Sequence, residues 1–221
     1  MPARYRISEI FRSLQGEGPS AGTPAHFVRL QGCSVGCAWC DTKYSWPADA
    51  GDARDLDDVW GACAALGDAP LLVVTGGEPL EHPALDALLR DALTRWPRVE
   101  VETSGIAAPP LTHARLHWNV SPKLPSATPR SAETWARTKA WLVEPNATFK
   151  IVVGDDPDLE DARRLIAAHA IPKERVMLMP EGMTADVLAA RARLLAEACK
   201  QMGVRMSPRL HVWLWGAKRG V

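Results

Sequence analysis

Residues 71–103 read LLVVTGGEPLEHPALDALLRDALTRWPRVEVET. Leu71–Thr75 is a short apolar run that closes on glycines, the pattern of a buried strand. In Ala84–Trp96, the residues Leu85, Leu88, Leu89, Ala92, Leu93 and Trp96 recur at helical spacing. Pro83 and Pro97 bracket this stretch, as prolines bracket helices. Val99–Thr103 then reads as a second strand. Strand, helix and strand in succession make a βαβ unit, with parallel strands and a right-handed crossover.

The alternation continues on both sides. His26–Leu30, Leu116–Val120, Ala147–Val153, Val176–Met179 and Leu210–Leu214 also read as strands, and Tyr5–Phe11 adds an edge strand. Leu56, Val59 and Cys63 mark a helix, as do Leu159, Ala162, Leu165 and Ile166. Val187, Leu188, Arg191, Leu194, Leu195, Ala198 and Met202 mark another, with Thr184 as N-cap and Gly203 as stop. Ala132–Leu142, with two tryptophans, is a further helical segment. Asp49–Asp58 reads as a surface loop running into a helix, and Pro122–Pro129 as a loop. The expected class is α/β with mostly parallel strands. A closed eight-unit barrel usually takes ~250 residues. The chain has 221, and no helix is evident between Thr103 and Leu116. An incomplete TIM-like barrel is expected, as a single domain over residues 1–221. Ligands then belong at the C-terminal ends of the strands.

Composition narrows the function classes. Apolar residues make up 47%, which excludes a disordered chain. Lys+Arg and Asp+Glu are 26 each, so the charge excess of a nucleic-acid backbone binder is missing. No apolar run reaches the ~18 residues of a membrane span. The opening MPARYRISEI is charged throughout and carries no apolar signal segment. The expectation is a cytoplasmic protein without nucleic-acid or membrane partners.

Five cysteines remain: Cys33, Cys37, Cys40, Cys63 and Cys199. The first three form Cys33-Ser-Val-Gly-Cys37-Ala-Trp-Cys40, on a loop just past the strand His26–Leu30. An odd number with a tight cluster does not read as a disulfide framework and points to metal. Three thiolates are one short of the four that usually saturate a cubane iron–sulfur cluster, leaving one position open to a ligand. Cys63 and Cys199 lie on apolar helix faces and read as packed thiols. Structural zinc is the competing reading, but it wants a fourth ligand and the next residues offer only Asp41.

Other motifs gather at the same sheet end. Thr75-Gly76-Gly77-Glu78-Pro79 lets a ligand approach backbone closely and offers a carboxylate to an ammonium group. Glu102-Thr103-Ser104-Gly105 and Ser121-Pro122-Lys123 bring hydroxyls and a cation. Each is also an ordinary turn or cap sequence on its own.

Together these residues resemble the radical S-adenosylmethionine superfamily, through Cys-x3-Cys-x-aromatic-Cys with Trp39 as the aromatic, and through GGEP. The segment Glu9–Gly18 with Leu14-Gln15-Gly16-Glu17-Gly18, and the ending His211–Val221, resemble one family within it, the 7-carboxy-7-deazaguanine synthases. The match runs over nearly the whole chain. It implies that Cys33, Cys37 and Cys40 hold a [4Fe–4S] cluster whose open iron binds S-adenosylmethionine. It implies conversion of 6-carboxy-5,6,7,8-tetrahydropterin to 7-carboxy-7-deazaguanine and ammonia, on the route to the queuosine base of tRNA. Implied contacts to S-adenosylmethionine are Trp39, Cys40, Asp41, Gly77, Glu78, Ser104, Ser121, Pro122, Lys123, Met179, Pro180, Glu181 and Gly182. Implied pterin contacts are Leu14, Gln15, Gly16, Glu17, Arg29, Thr75, His211 and the carboxylate of Val221. Thr42 matches a Mg²⁺ ligand, and Mg²⁺ favours oxygen donors. Arg29 suits a substrate carboxylate because its planar fork can bind both oxygens, although a surface ion pair is its plainer use. The family also implies a homodimer and an electron donor of flavodoxin or ferredoxin type.

Two further functions compete: a glycyl-radical enzyme activator, and a non-catalytic metal or electron-transfer module. The Leu14–Gly18 segment and the C-terminal ending weigh against the first, the three-ligand cluster against the second. His113 and His117 lack a metalloprotease Glu and read as surface residues. Trp96, Trp135 and Trp141 read as core, and Trp213 and Trp215 as alternating on the last strand.

Overall fold

The computed structural model describes residues 3–221; Met1 and Pro2, the start of the charged N-terminal stretch, lie outside the described residues. The strands are β1 (Tyr5–Leu14), β2 (Pro24–Leu30), β3 (Asp52–Arg54), β4 (Leu71–Gly76), β5 (Arg98–Thr103), β6 (Leu116–Val120), β7 (Ala147–Val153), β8 (Val176–Pro180) and β9 (Arg205–Met206). The helices are α1 (Leu56–Ala65), α2 (Leu85–Arg95), α3 (Ser131–Trp135), α4 (Thr138–Val143), α5 (Asp156–Ala168), α6 (Ala185–Met202) and α7 (Leu210–Trp215). One sheet runs in the order β3-β1-β2-β4-β5-β6-β7-β8-β9. β2 and β4 to β9 are parallel, whereas β1 is antiparallel to both its neighbours. β3 and β9 form the two ends, so the expected incomplete barrel is what the chain builds.

The strand pleat sorts side chains into two layers. Leu72, Val74, Val99, Val101, Leu116, Trp118, Val120, Phe149, Ile151 and Leu178 pack into the main apolar core with Leu88, Leu89 and Trp96 of the α2 segment and with Ala162 of α5. Trp118 and Trp141 meet edge to face with ring centres 5.2 Å apart. The alternate positions face inward and carry Arg29, Thr75, Glu100, Glu102, His117, Asn119 and Lys150. The strands are therefore oily towards the helices, while the half-barrel interior combines these polar and charged residues with a second apolar cluster of Ala25, Phe27, Leu71 and Val73. Cys63 and Cys199 are buried free thiols, as expected.

Helix boundaries follow local chemistry. The Thr184 side chain accepts from the Val187 amide to start α6, and Gly203 stops it with φ of 67°. The Asp155 side chain caps α5 by accepting from the Asp158 amide at 2.9 Å. No helix among the described residues is long and apolar enough to cross a membrane.

Several expectations are corrected. Leu210–Leu214 is helix α7, not a strand: a short apolar run fits either period, and Gly216 ends it as a helix. Trp213 and Trp215 therefore do not alternate on a strand; both are exposed on α7. The first strand extends to Leu14 and lies inside the sheet, because Asp52–Arg54 covers its outer side as β3. The loop read over Asp49–Asp58 thus contains the true edge strand. Ala132–Leu142 is split into α3 and α4.

His117 is not a surface residue. It is half-buried on the inner face, and its Nε2 lies 3.0 Å from Thr148 Oγ1. Burial pushes its imidazole down to about 4, against the opposing pull of Glu100. Between an ordinary histidine value and about 4, the unfolded chain takes up a proton that the folded chain refuses. Stability present at neutral pH is thus lost as pH falls through that window. His117→Gln is expected to flatten this part of the pH dependence, read from denaturant midpoints across it. An unaltered slope would exclude His117 as its source.

Candidate active site

Gly77 brings the ends of β2 and β4 together. Its amide donates to the Leu30 carbonyl at 3.1 Å, and the Glu78 amide donates to the Gly32 carbonyl at 2.8 Å. A Cβ on Gly77 would collide with the Gly32 carbonyl, so only glycine permits this approach. The loop Cys33–Cys40 is thereby pinned against the Gly76-Gly77 turn. Its far side rests on the Pro122–Pro129 loop, where Ala38 donates to the Ala127 carbonyl at 2.8 Å and Thr128 Oγ1 donates to the Val35 carbonyl at 2.7 Å.

Cys33, Cys37 and Cys40 line one cavity of about 320 Å³ at the C-terminal ends of the strands. Burial pushes the thiols of Cys33 and Cys37 up. The Val35 and Gly36 amides pull Cys33 back, and Lys123 pulls Cys37 back. Three thiols around one cavity suit ligands to separate irons of one cluster.

The same cavity wall contains nearly every residue expected from the sequence. From the N-terminal segment come Leu14, Gln15, Gly16 and Glu17; from β2 and β4 come Arg29, Thr75 and Gly77. Trp39, Asp41, Thr42, Glu78, Ser104, Ser121, Lys123, Met179, His211 and Val221 complete that set. Pro122, Pro180, Glu181 and Gly182, also expected there, are not among the residues that line it. Glu181 pairs with Arg191, and the Gly182 carbonyl accepts from Arg209 Nη1 at 2.6 Å.

Glu78 is held tightly. Its Oε1 accepts from the Leu80 amide at 3.0 Å and Thr103 Oγ1 at 2.6 Å; its Oε2 accepts from the Ser104 amide at 2.7 Å and hydroxyl at 2.5 Å. It joins β4 to β5 while its charge borders the cavity. Lys123 Nζ donates to Ser121 Oγ at 3.0 Å and sits 5.6 Å from the Trp39 ring centre. Thr42 Oγ1 is 3.5 Å from Cys40 Sγ. Asp41 is engaged by Arg209, and the Thr42 hydroxyl shares a hydrogen bond with the Cys40 sulfur.

The floor is a charge network. Lys150 Nζ, 3% exposed, donates to Glu17 Oε2 at 2.5 Å and Glu102 Oε2 at 2.6 Å. Glu102 Oε1 accepts from Gln15 Nε2 at 3.2 Å and Asn119 Nδ2 at 3.0 Å. Arg209 Nε reaches Glu17 Oε1 at 3.2 Å. Burial works against the Glu17 charge, but Lys150 and Arg209 outweigh it and hold the carboxyl well below the usual range. Burial, with Glu17 and Glu100 nearby, pushes Glu102 up. Burial also opposes the Lys150 charge, yet the two carboxylates keep it protonated. His211 is pushed down by burial, although Glu17 pulls the other way.

Glu9, Tyr44, Glu102, Lys150, Arg209 and Arg219 also line the cavity and were not expected there. The alternation in Val99-Glu-Val-Glu102 and Phe149-Lys150-Ile151 puts two of them opposite the core face, but alternation alone does not separate a barrel interior from a solvent face.

A comparison with protein-family models finds no match. The chain is 41% identical over 224 residues to the 7-carboxy-7-deazaguanine synthase of Pyrobaculum aerophilum, covering 98% of this chain and 97% of that protein. It is 37% identical to the synthase of Chlorobaculum tepidum, covering 99% and 98%. Among solved structures, QueE from Escherichia coli superposes with a TM-score of 0.66 at 31% identity, covering 92% and 93%. SuiB from Streptococcus suis, in its crystal with S-adenosylmethionine, shares the fold with a TM-score of 0.59 at 10% identity, covering 80% of this chain and 48% of that one. With such identities sustained across almost the full length of chain and relative alike, the chain belongs to the 7-carboxy-7-deazaguanine synthase family.

Proposed function

We propose that this chain, acting as one domain, converts 6-carboxy-5,6,7,8-tetrahydropterin to 7-carboxy-7-deazaguanine and ammonia by radical ring contraction, supplying queuosine synthesis. The observation that carries this reading is one cavity bordered at one side by three cysteines and a glycine turn, and floored by paired charges. Such a cavity suits a cluster-bound cofactor and a polar heterocycle side by side.

Cys33, Cys37 and Cys40 would hold the [4Fe–4S] cluster. When bound, the cluster and S-adenosylmethionine would supply the radical chemistry for hydrogen abstraction from the pterin. The chain's own residues bind and orient. Trp39, Cys40, Asp41, Gly77, Glu78, Ser104, Ser121, Lys123 and Met179 are assigned to S-adenosylmethionine, together with Pro122, Pro180, Glu181 and Gly182. Arg29 is assigned to the pterin carboxylate. Glu17, ionised and immobilised, is an acceptor for the donor edge of the aminopyrimidinone. Leu14, Gln15, Gly16, Thr75, His211 and the Val221 carboxylate complete the pterin site. Thr42 would be a protein ligand to Mg²⁺, an ion that favours oxygen donors.

A small flavodoxin- or ferredoxin-type protein is the proposed electron donor, in the cytoplasm. Exposed Leu194, Trp213, Leu214 and Trp215 on α6 and α7 support a homodimer.

The decisive assay is anaerobic. Protein reconstituted with iron and sulfide, then given reductant, S-adenosylmethionine, Mg²⁺ and the carboxypterin, is expected to yield a deazapurine. Absence of that product, with the cluster verified by absorbance, would sink the reading. Cys37→Ala is expected to lose cluster absorbance and turnover together; retained turnover would contradict its ligand role. Thr42→Ala is expected to raise the Mg²⁺ concentration for half-maximal rate by roughly tenfold, the scale of one lost charge-assisted contact. An identical Mg²⁺ titration would remove Thr42 from that role.

A further inference from the structure

Arg29 does not meet the cavity alone. Its Nε donates to Glu9 Oε1 at 2.6 Å, and both side chains are largely buried. A carboxylate at that distance offsets the guanidinium charge, so the pair by itself offers an incoming anion little attraction. Tyr44 Oη also donates to Glu9 Oε1, at 2.7 Å. The other oxygen, Glu9 Oε2, accepts from Arg219 Nε at 2.7 Å. Arg219 lies over the Tyr44 ring, 4.0 Å from its centre, and its Nη2 donates to the Ser8 carbonyl at 3.3 Å.

Arg219 belongs to the tail after α7, between Gly216 and Gly220, both at positive φ. The tail crosses the cavity and ends with Val221 on its wall. Glu9 thus stands between two guanidiniums, one from β2 and one from the tail. Burial pushes the Glu9 carboxyl up, but hydrogen bonds from Arg219, Arg29 and Tyr44 outweigh this and keep it ionised. The three charges sum to one net positive. Arg29 uses only Nε within the protein, and its two Nη groups make no hydrogen bond among the described residues.

We propose that Arg219 is a positioning residue for the substrate carboxylate: by neutralising Glu9, it leaves the Arg29 fork cationic towards an anionic ligand. This rests on the proposed function, which gives Arg29 that ligand. Arg219 acts through Glu9 and Arg29 and need not touch the pterin.

The test compares wild type, Arg219→Ala, Arg219→Lys and the double variant Arg219→Ala/Glu9→Gln as reconstituted enzyme. Equilibrium binding is read for the carboxytetrahydropterin and for tetrahydropterin lacking the carboxylate, alongside KM and kcat. Arg219→Ala is expected to weaken binding of the carboxylated pterin and raise its KM by roughly tenfold, the scale of one charge-assisted contact, with a much smaller effect on kcat. Binding of the carboxylate-free pterin is expected to shift less than about twofold, within the scale of an exposed ion pair. Arg219→Lys keeps most of the affinity, because it keeps the charge. Adding Glu9→Gln to Arg219→Ala is expected to recover most of the loss, since no anion then competes for Arg29. If Arg219 merely strapped the tail down, removing its anchor Glu9 would restore nothing. Equal losses for both pterins, or no recovery in the double variant, overturn the proposal. Wild type that binds the carboxypterin selectively but yields no deazapurine would instead count against the proposed function.

Discussion

A buried ammonium between two half-buried carboxylates governs this molecule. Lys150 stands on β7 with Glu102 of β5 on one side and Glu17 of the loop after β1 on the other. An unpaired charge in such a place costs several kcal/mol, of the order that unfolds a domain. Each partner therefore fixes the others. Arg209 extends the network from Glu17 to Asp41, so the C-terminal segment, the N-terminal loop and the cysteine loop are tied to the sheet interior. Gly16 allows the closest of these approaches: the Leu210 amide donates to its carbonyl at 2.9 Å, and a Cβ there would collide with the His211 ring.

The same network sets what the open barrel can hold. Among apolar side chains such as Phe27, Val35 and Val152, the paired charges offer a ligand acceptors and donors already in place. One end of the cavity is a backbone cradle, where Gly77 meets the cysteine loop. Elsewhere its wall carries the charged groups Glu17, Arg29, Glu9 and Arg219. The combination suits a cofactor whose chemistry is its own, with a substrate that must be oriented beside it.

The helix-facing half of the fold was legible in the sequence. Leu85, Leu88, Leu89 and Ala92 mark α2 because burial against the sheet demands that spacing, and Thr184 and Gly203 mark the ends of α6 by capping chemistry. The motif residues of the cavity were legible because loops at strand ends announce themselves by Cys, Gly and Ser. The network was hidden for a physical reason. Glu102, Asn119 and Lys150 alternate with apolar residues as the solvent face of an ordinary sheet does, and only the curvature of the sheet turns that face inward. Leu210–Trp215 was misread because six apolar-rich residues satisfy either period. Asp52–Arg54 was missed because an exposed edge strand needs no apolar signal.

The most direct test of the account is a structure of the reconstituted protein with S-adenosylmethionine and the carboxytetrahydropterin bound together. The account predicts the sulfonium ligand between the Cys33–Cys40 loop and Gly77, the pterin carboxylate on Arg29, and the donor edge of its aminopyrimidinone on Glu17. A pterin seated away from Glu17 and Arg29, or a cluster held by cysteines other than Cys33, Cys37 and Cys40, would contradict it.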